Sequence, residues 1–193
     1  MPSYPEGLLD WSGNRAGGVK KLFYGGSGRP AGQVIRTELL DRLSEWAGKV
    51  AQFQGGTPNA VLLLGGPGNG KTEAVEHTLR EIDSSLAMSG ALVNELGRIF
   101  SSQDGSTPGR LVEVDLSALS DGRLSGILAI VQDASEGNPG SSKTPAELLC
   151  EDLARLLFDD QEKRIYLACV NRGVLDDALI LSAERGTPRQ VAC

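Results

Sequence analysis

The stretch Ala60–Val75 constrains the fold of this chain more than any other part of the sequence. It begins with an apolar run, Val61–Leu64, continues through Gly65 and four further residues, and reads Gly-Lys-Thr at positions 70–72. This order matches the phosphate-binding loop pattern G-x-x-x-x-G-K-[ST]. The pattern predicts a buried strand, a glycine-rich turn that binds phosphate, and a helix that begins within the tripeptide.

Each residue type in this loop has its own chemical reason. Glycine lets the backbone adopt positive φ and approach a phosphate closely, so that successive N–H groups point at one anion. Lys71 adds a positive charge, the following helix adds the positive end of its dipole, and Thr72 can place a hydroxyl on a magnesium ion. The expected ligand is a nucleoside triphosphate. Its predicted contacts are Gly65, Gly66, Pro67, Gly68, Asn69, Gly70, Lys71, Thr72 and Glu73.

Composition favours one globular α/β domain. The chain has 193 residues, which is enough for one such domain with a core and too few for two of ordinary size. Its net charge of -6 does not indicate a nucleic-acid surface, because phosphate-rich partners need clustered Lys and Arg. The sequence has no apolar segment of membrane-span length and no signal pattern, so we expect a cytoplasmic location and no membrane partner.

The cysteines and the histidine carry no metal or catalytic pattern. Cys150, Cys169 and Cys193 are odd in number and lack metal-ligand spacing, so we expect reduced thiols. His77 follows the loop without a second His or a Cys beside it, which favours a surface or packing role.

Helices and strands are predicted to alternate along the chain. An amphipathic helix is expected over Gln33–Ala51, with an apolar face of Ile35, Leu39, Leu43, Trp46 and Val50. A capping box at Thr144–Glu147 predicts the start of another helix, which should run to Phe158. The remaining predictions are helices over Ser85–Phe100 and Val174–Leu181 and strands over Leu111–Leu116, Ile127–Val131 and Ile165–Val170. This alternation predicts a three-layer α/β fold, a parallel sheet between helices, with functional residues at the carboxyl ends of its strands.

A phosphate loop needs an acidic residue that holds the magnesium ion, and such a residue follows an apolar strand. Two residues qualify. Asp133 follows the aliphatic run Ile127–Val131, and Asp115 follows a less uniform strand. We prefer Asp133 because its strand is expected to lie centrally, beside the loop strand. The alternative role of Asp115 is to cap a helix before Ser117.

The series of loop, aspartate and a third strand end resembles the core of AAA+ and STAND-like ATPases, which belong to the additional-strand class of P-loop NTPases. The resemblance rests on Gly65–Thr72, Asp133 and the strand Ile165–Val170 that ends at Asn171. It implies Mg²⁺-dependent ATP hydrolysis, with Lys71 and Asp133 among the catalytic residues and Thr72 and Asp133 at the metal. It also implies that Asn171, on a strand between the other two, helps to position the attacking water.

The resemblance further implies how the chain is divided. Residues 1–32, with the turn Tyr24–Gly28, correspond to an irregular arm that borders the nucleotide pocket, and residues 33–193 correspond to the NTPase core. The resemblance implies a fifth strand and a helical lid after Leu181, where only Ser182–Cys193 remains. Either Val191–Cys193 begins that strand or the chain is a piece of a longer protein, and we expect the second. A protein partner or further C-terminal domains would follow, and many members of the family assemble into rings, so a homo-oligomer is one expected state.

One departure from the family pattern concerns catalysis. The acidic residue that usually follows the magnesium aspartate is replaced by Ala134 and Ser135, and the nearest carboxylate belongs to Glu136. Glu136 either reaches the attacking water or is a solvated surface charge, and in the second case hydrolysis by this chain would be slow. Candidate arginine fingers, which would act on a neighbour's nucleotide, are Arg172, Arg185 and Arg189.

Two other functions stay open at this point. A small-molecule or nucleotide kinase would need an arginine-lined lid, whereas the stretch Ala134–Lys143 is rich in Gly and Ser. A nucleotide-binding module without hydrolysis would account for the missing acid after Asp133. The chain lacks the Asn-Lys-x-Asp pattern of guanine recognition, which favours ATP over GTP.

Overall fold

A four-stranded sheet with helices against both faces organises the chain. The computed structural model describes residues 22–23, 36–52, 55–66, 69–100, 109–120, 125–138, 140–158 and 163–184. The helices are α1 Glu38–Ala51, α2 Lys71–Ser85, α3 Ala91–Phe100, α4 Leu116–Leu119, α5 Pro145–Phe158 and α6 Arg172–Glu184. The strands are β1 Ala60–Leu64, β2 Leu111–Asp115, β3 Ile127–Val131 and β4 Arg164–Val170. Within these ranges, none of the helices is long and apolar enough to cross a membrane.

The strand order is β1-β4-β3-β2. β4 pairs in parallel with β1 on one side, where Leu64 lies opposite Val170, and with β3 on the other, where Val131 lies opposite Ala168. The strand that ends before Asn171 therefore lies between the loop strand and the strand that leads to Asp133, as the resemblance implied. The expectation that β3 lies directly beside β1 was wrong, because β4 separates them.

The prediction of a wholly parallel sheet was wrong at the edge strand β2. It runs antiparallel to β3, with Leu111 opposite Val131 and Asp115 opposite Ile127. Two helices, α2 and α3, connect β1 with β2.

Alternation along the strands divides the core into two layers. On β4, Ile165, Leu167 and Cys169 join the cluster that also contains the buried faces of α1, α2, α3 and α4. Tyr166, Ala168 and Val170 point to the opposite face and pack in the cluster with α5 and α6. Because both faces of β4 are covered, its run from Ile165 to Val170 is buried at every position.

Helix α1 begins later than its hydrophobic pattern predicted. Thr37 is the N-cap, and its hydroxyl accepts a hydrogen bond from the N–H of Leu40 at 3.3 Å. Ile35, at the start of the predicted helix, lies outside the described residues. Leu39, assigned to the buried face, is 51% exposed, whereas Leu40 is buried. Leu43 and Val50 of the predicted face are buried, so the structure corrects this face at Leu39 alone among its described residues.

The predicted helix over Ser85–Phe100 is divided differently in the structure. α2 continues to Ser85, residues 86–90 form a turn, and α3 begins at Ala91. The buried carboxylate of Asp83 holds this turn by accepting hydrogen bonds from the N–H groups of Gly90 at 2.7 Å and Leu92 at 2.8 Å. Asp83 thus supplies acceptors to the first turn of α3, whose N–H groups have none within the helix.

The capping box of α5 is confirmed. The hydroxyl of Thr144 accepts a hydrogen bond from the N–H of Glu147 at 3.2 Å, and the Glu147 carboxylate accepts one from the N–H of Thr144 at 2.9 Å. Pro145 is the first helical residue. Helix α6 is longer than the predicted Val174–Leu181 and extends from Arg172 to Glu184.

Two residues of the N-terminal arm, Leu22 and Phe23, belong to the described structure. Leu22 is fully buried in the core beside α2 and α3. The N–H of Phe23 donates to a carboxylate oxygen of Glu76 at 2.8 Å, and the Arg80 guanidinium lies 5.1 Å from the centre of the Phe23 ring. These two residues of the arm are therefore packed against the core, and the turn Tyr24–Gly28 lies outside the described residues.

A buried ion pair joins the start of β2 to α5. Arg110 Nη1 donates to Asp152 Oδ2 at 2.6 Å, and their side chains are 1% and 9% exposed. The hydroxyl of Tyr166 on β4 donates to the same oxygen at 3.1 Å. Burial, and then the negative charge of Asp152, raise the pKa of Tyr166 far above its usual range. The pair therefore connects strand, helix and sheet inside the protein, where removal of one partner is costly.

Candidate functional site

Three strand ends meet at one edge of the sheet. The N–H of Gly65, directly after β1, donates to Val170 O on β4 at 3.3 Å. On the other side of β4, the N–H of Ala134 donates to Cys169 O at 2.9 Å. The glycine-rich loop and the turn that contains Asp133 are therefore both attached to the last residues of β4, next to Asn171.

The loop is described at both of its ends. Lys71 Nζ donates hydrogen bonds to the carbonyl oxygens of Gly65 at 2.5 Å and Gly66 at 2.8 Å. The Asn69 amide lies against the Gly65 backbone, and its Nδ2 would be 3.2 Å from a Cβ placed there. The lysine charge is thus held inside the turn that the sequence predicted to bind phosphate. Two residues of that prediction, Pro67 and Gly68, lie outside the described residues.

The first turn of α2 faces this loop. Gly70 is the N-cap, with φ of 73°, and it offers no side chain to the helix amides. Only glycine adopts this left-handed conformation without strain. The first amides of a helix, such as that of Thr72, have no acceptor within the helix, and together with its dipole they attract an anion.

The carboxylate of Asp133 is held in a tight turn. Its Oδ1 accepts hydrogen bonds from the N–H of Ser135 at 2.9 Å and from the Ser135 hydroxyl at 2.6 Å. Ala134 between them is fully buried among the side chains of the α5 layer. The position after the aspartate therefore points into the core, and a side chain there does not face the loop.

Glu136 lies on the surface. It is exposed, as are residues 135–138 in general, and its N–H donates to the Asp133 carbonyl at 3.2 Å. This placement favours the interpretation of Glu136 as a solvated charge. The structure brings Lys71, Asp133 and Asn171 to one edge without a buried carboxylate beside them among the described residues.

Asp115, the alternative magnesium ligand, lies at the opposite edge of the sheet. It pairs with Ile127 at the start of β3, four residues and roughly 13 Å along the strand from Val131. Its Oδ1 accepts hydrogen bonds from the Ser117 hydroxyl and N–H, which hold the pKa of Asp115 below its usual value. Asp115 caps α4, which confirms the alternative role that the sequence predicted for it.

Asn171 caps α6. Its Oδ1 accepts a hydrogen bond from the N–H of Val174 at 2.9 Å, and its carbonyl accepts one from Leu175 at 3.3 Å. Since the helix occupies Oδ1, the Nδ2 amino group is the part of the amide that can donate to a ligand. The cap was not predicted from the sequence, although Asn is a common N-cap residue.

Cys169 lies beneath the same edge and was not predicted as part of the site. Burial is the main cause that raises the pKa of its thiol to about 11, the charge of Lys71 lowers it, and the charge of Asp133 raises it. One buried thiol is therefore within electrostatic reach of both charged residues. Its position two residues before Asn171 is the sequence signal that could have identified it.

The raised pKa of Cys169 predicts a loss of stability at alkaline pH. The unfolded chain releases the thiol proton near pH 9, whereas the folded chain keeps it until about pH 11. Stability is complete below pH 9 and falls as pH rises to 11, on the order of 2 kcal/mol for this group. Urea unfolding of wild type and Cys169→Ala at pH 8 and pH 10.5 measures the effect. The stability difference between the two proteins should shrink at the higher pH, and a constant difference would contradict the prediction.

The other predicted residues are distributed as follows. Arg172 has a side chain 92% exposed and lies 3.6 Å from Asp176, so it is a solvated residue of α6. Arg185 and Arg189 lie outside the described residues. His77 has the expected packing role, since its Nε2 lies 2.9 Å from the Ser44 hydroxyl and connects α2 with α1. Cys150 and Cys169 are free thiols, and Cys193 lies outside the described residues.

The residues at this edge would supply only part of the coordination of a magnesium ion, and a bound nucleotide would supply most of the rest. Thr72 and Asp133 supply a hydroxyl and a carboxylate, the oxygen ligands that Mg²⁺ prefers. No group of three or more acidic, His or Cys side chains suited to a metal occurs in the described part of the chain. A magnesium ion here would therefore need phosphate oxygens and water for the rest of its coordination.

No protein-family model, no curated protein and no solved structure matches this chain. Its class is therefore defined by the fold and the site alone. It is an α/β protein with a mostly parallel four-stranded sheet, whose carboxyl edge gathers a lysine-containing glycine loop, an aspartate and an asparagine.

Proposed function

We propose that this chain binds ATP with Mg²⁺ and hydrolyses it as the core of an AAA+-like ATPase of the additional-strand P-loop class. The observation that carries the proposal is the position of β4 between β1 and β3. This order brings Lys71, Asp133 and Asn171 to one edge, and it is the order that the resemblance implies. The three residues come from separate segments, and the strand order is what brings these segments to one edge.

Each residue has a role that follows from its contacts. Lys71 would leave the carbonyls of Gly65 and Gly66 and bind the β- and γ-phosphates, since a charged acceptor competes well with a neutral one. Thr72 and Asp133 would hold Mg²⁺, which neutralises charge on the phosphates. Asn171 Nδ2 would donate to a γ-phosphate oxygen or to the attacking water, while its Oδ1 stays with α6.

The transferred group would be the γ-phosphoryl, and water would attack its phosphorus in line with the leaving ADP oxygen. The position after Asp133 holds a buried alanine, Ala134, and not a carboxylate, and the carboxylate of Glu136 is exposed. Hydrolysis by the chain alone is therefore expected to be slow. The same observation favours a second candidate function, a module that binds ATP without hydrolysing it.

Helix α6 would transmit a change in the bound nucleotide to a neighbouring domain or subunit. Asn171 is both the predicted γ-phosphate contact and the cap of that helix. A shift of the Asn171 amide on loss of the γ-phosphate would move the start of α6, which is the kind of coupling that switches larger assemblies.

The proposal is tested by comparing wild type with Asn171→Asp. Wild type should bind ATP in a Mg²⁺-dependent manner by calorimetry and release phosphate slowly. Aspartate can still accept from Val174, but it replaces a donor with a negative charge, so turnover should fall about tenfold. ADP affinity and thermal unfolding should change little.

The outcomes separate the candidates. ATP binding without phosphate release, even at high protein concentration, supports the non-hydrolysing module. Phosphate transfer to a nucleoside or nucleotide acceptor supports a kinase. A wild-type protein that binds no nucleoside triphosphate overturns the proposal.

A further inference from the structure

Ser135 makes the contacts that orient the Asp133 side chain. Its N–H and its hydroxyl both donate to Asp133 Oδ1, at 2.9 Å and 2.6 Å. The Asp133 carbonyl accepts from Glu136, and the intervening Ala134 is attached to Cys169 O at 2.9 Å. Oδ1 is thereby held in place on a turn that is itself fastened to β4.

We propose that Ser135 is a positioning residue, which fixes the Asp133 carboxylate so that its other oxygen, Oδ2, is presented to the magnesium ion of a bound nucleotide. The inference rests on the proposed function. A carboxylate that is already oriented loses less rotational freedom when it binds a metal shell, so it binds more tightly.

At the other edge of the sheet the same turn has a further role, which is to begin a helix. Asp115 and Ser117 make equivalent hydrogen bonds, at 2.8 Å from the N–H and 2.6 Å from the hydroxyl. Those bonds begin helix α4. After Asp133, in contrast, residues 136–138 are not helical, and the next helix, α5, has its own cap at Thr144.

Exposure supports the same distinction. Ser135 is exposed, so its hydroxyl is not part of the core. The contacts that attach the turn to the sheet come from the backbone of Ala134. The Ser135 hydroxyl therefore acts on the Asp133 carboxylate and not on the packing of the turn.

The test compares Ser135→Ala with the matched variant Ser117→Ala, which removes an equivalent hydroxyl from the opposite edge. Mg²⁺ affinity would be measured by calorimetry, with Mg²⁺ titrated into each protein after the protein has been saturated with ATP. Ser135→Ala should weaken Mg²⁺ affinity about tenfold, and Ser135→Thr should restore it. ATP affinity without Mg²⁺ and thermal unfolding should be the same for Ser135→Ala as for wild type.

Three results would count against the inference. Equal Mg²⁺ affinity of Ser135→Ala and wild type would overturn it while the proposed function stands. An equal loss in Ser117→Ala would also overturn it, since the effect would then not depend on the site. Wild type that binds ATP without any dependence on Mg²⁺ would overturn the proposed magnesium-dependent function, and the inference with it.

Discussion

Lys71→Ala is expected to weaken ATP binding about a thousandfold, because the ammonium group would make two charge-assisted hydrogen bonds to phosphates, each contributing ~2 kcal/mol. In the structure the same group donates to the carbonyls of Gly65 and Gly66. Calorimetric titration of both proteins with ATP and Mg²⁺ measures the effect. Unchanged affinity in the variant would remove Lys71 from the nucleotide site.

A matched control separates this effect from a general loss of positive charge. Lys49 on α1 is half-exposed, and its Nζ lies 2.6 Å from Glu45 on the same helix. Such exposed pairs contribute little to stability. Lys49→Ala should therefore bind ATP like wild type. Thermal unfolding without nucleotide should be similar for all three proteins, which shows whether a lost affinity reflects a lost fold.

Asp152→Ala is expected to destabilise the protein by about 3 to 5 kcal/mol, because it leaves the buried guanidinium of Arg110 without its carboxylate. Arg110 Nε and Nη2 already lack a hydrogen-bond partner among the described residues, so the loss at Nη1 is not compensated. The Tyr166 hydroxyl also loses its acceptor. Urea unfolding of the variant and wild type at pH 7 measures the difference.

Two further variants identify the cause. Tyr166→Phe removes only the weaker hydrogen bond and should cost about 1 kcal/mol. The double variant Arg110→Met/Asp152→Leu removes both charges and keeps similar volumes, so it should be more stable than Asp152→Ala alone. If the free energy of unfolding of Asp152→Ala lies within 1 kcal/mol of wild type, the buried pair contributes no more than a surface ion pair.

Sequence patterns of short range predicted most of the elements. The order of apolar run, glycines and Gly-Lys-Thr placed β1 and the start of α2 at Lys71, and Thr144–Glu147 placed the start of α5 at Pro145. These signals work because the interactions behind them, such as caps and helical periodicity, join residues a few positions apart. Local periodicity did not decide which residues of α1 face the core. Leu39 and Leu40 both suit a helix, and only packing against α2 buries the second.

The candidate site depended on contacts between distant segments. Asp115 and Asp133 are both followed, two residues later, by a serine, and both form the same local turn. These matching contacts do not show which aspartate belongs to the site. The antiparallel direction of β2 does, because it carries Asp115 to the edge opposite the glycine-rich loop.

The sequence by itself determined the phosphate-loop pattern, the alternation of strands and helices, and the candidates Lys71, Asp133 and Asn171. The tertiary structure alone decided that β2 runs antiparallel to β3, that Asp115 therefore lies away from the loop, and that Ala134 points into the core. The reason is physical. Local propensity acts within a few residues, whereas strand order and direction arise from burial of the whole sheet between two helix layers.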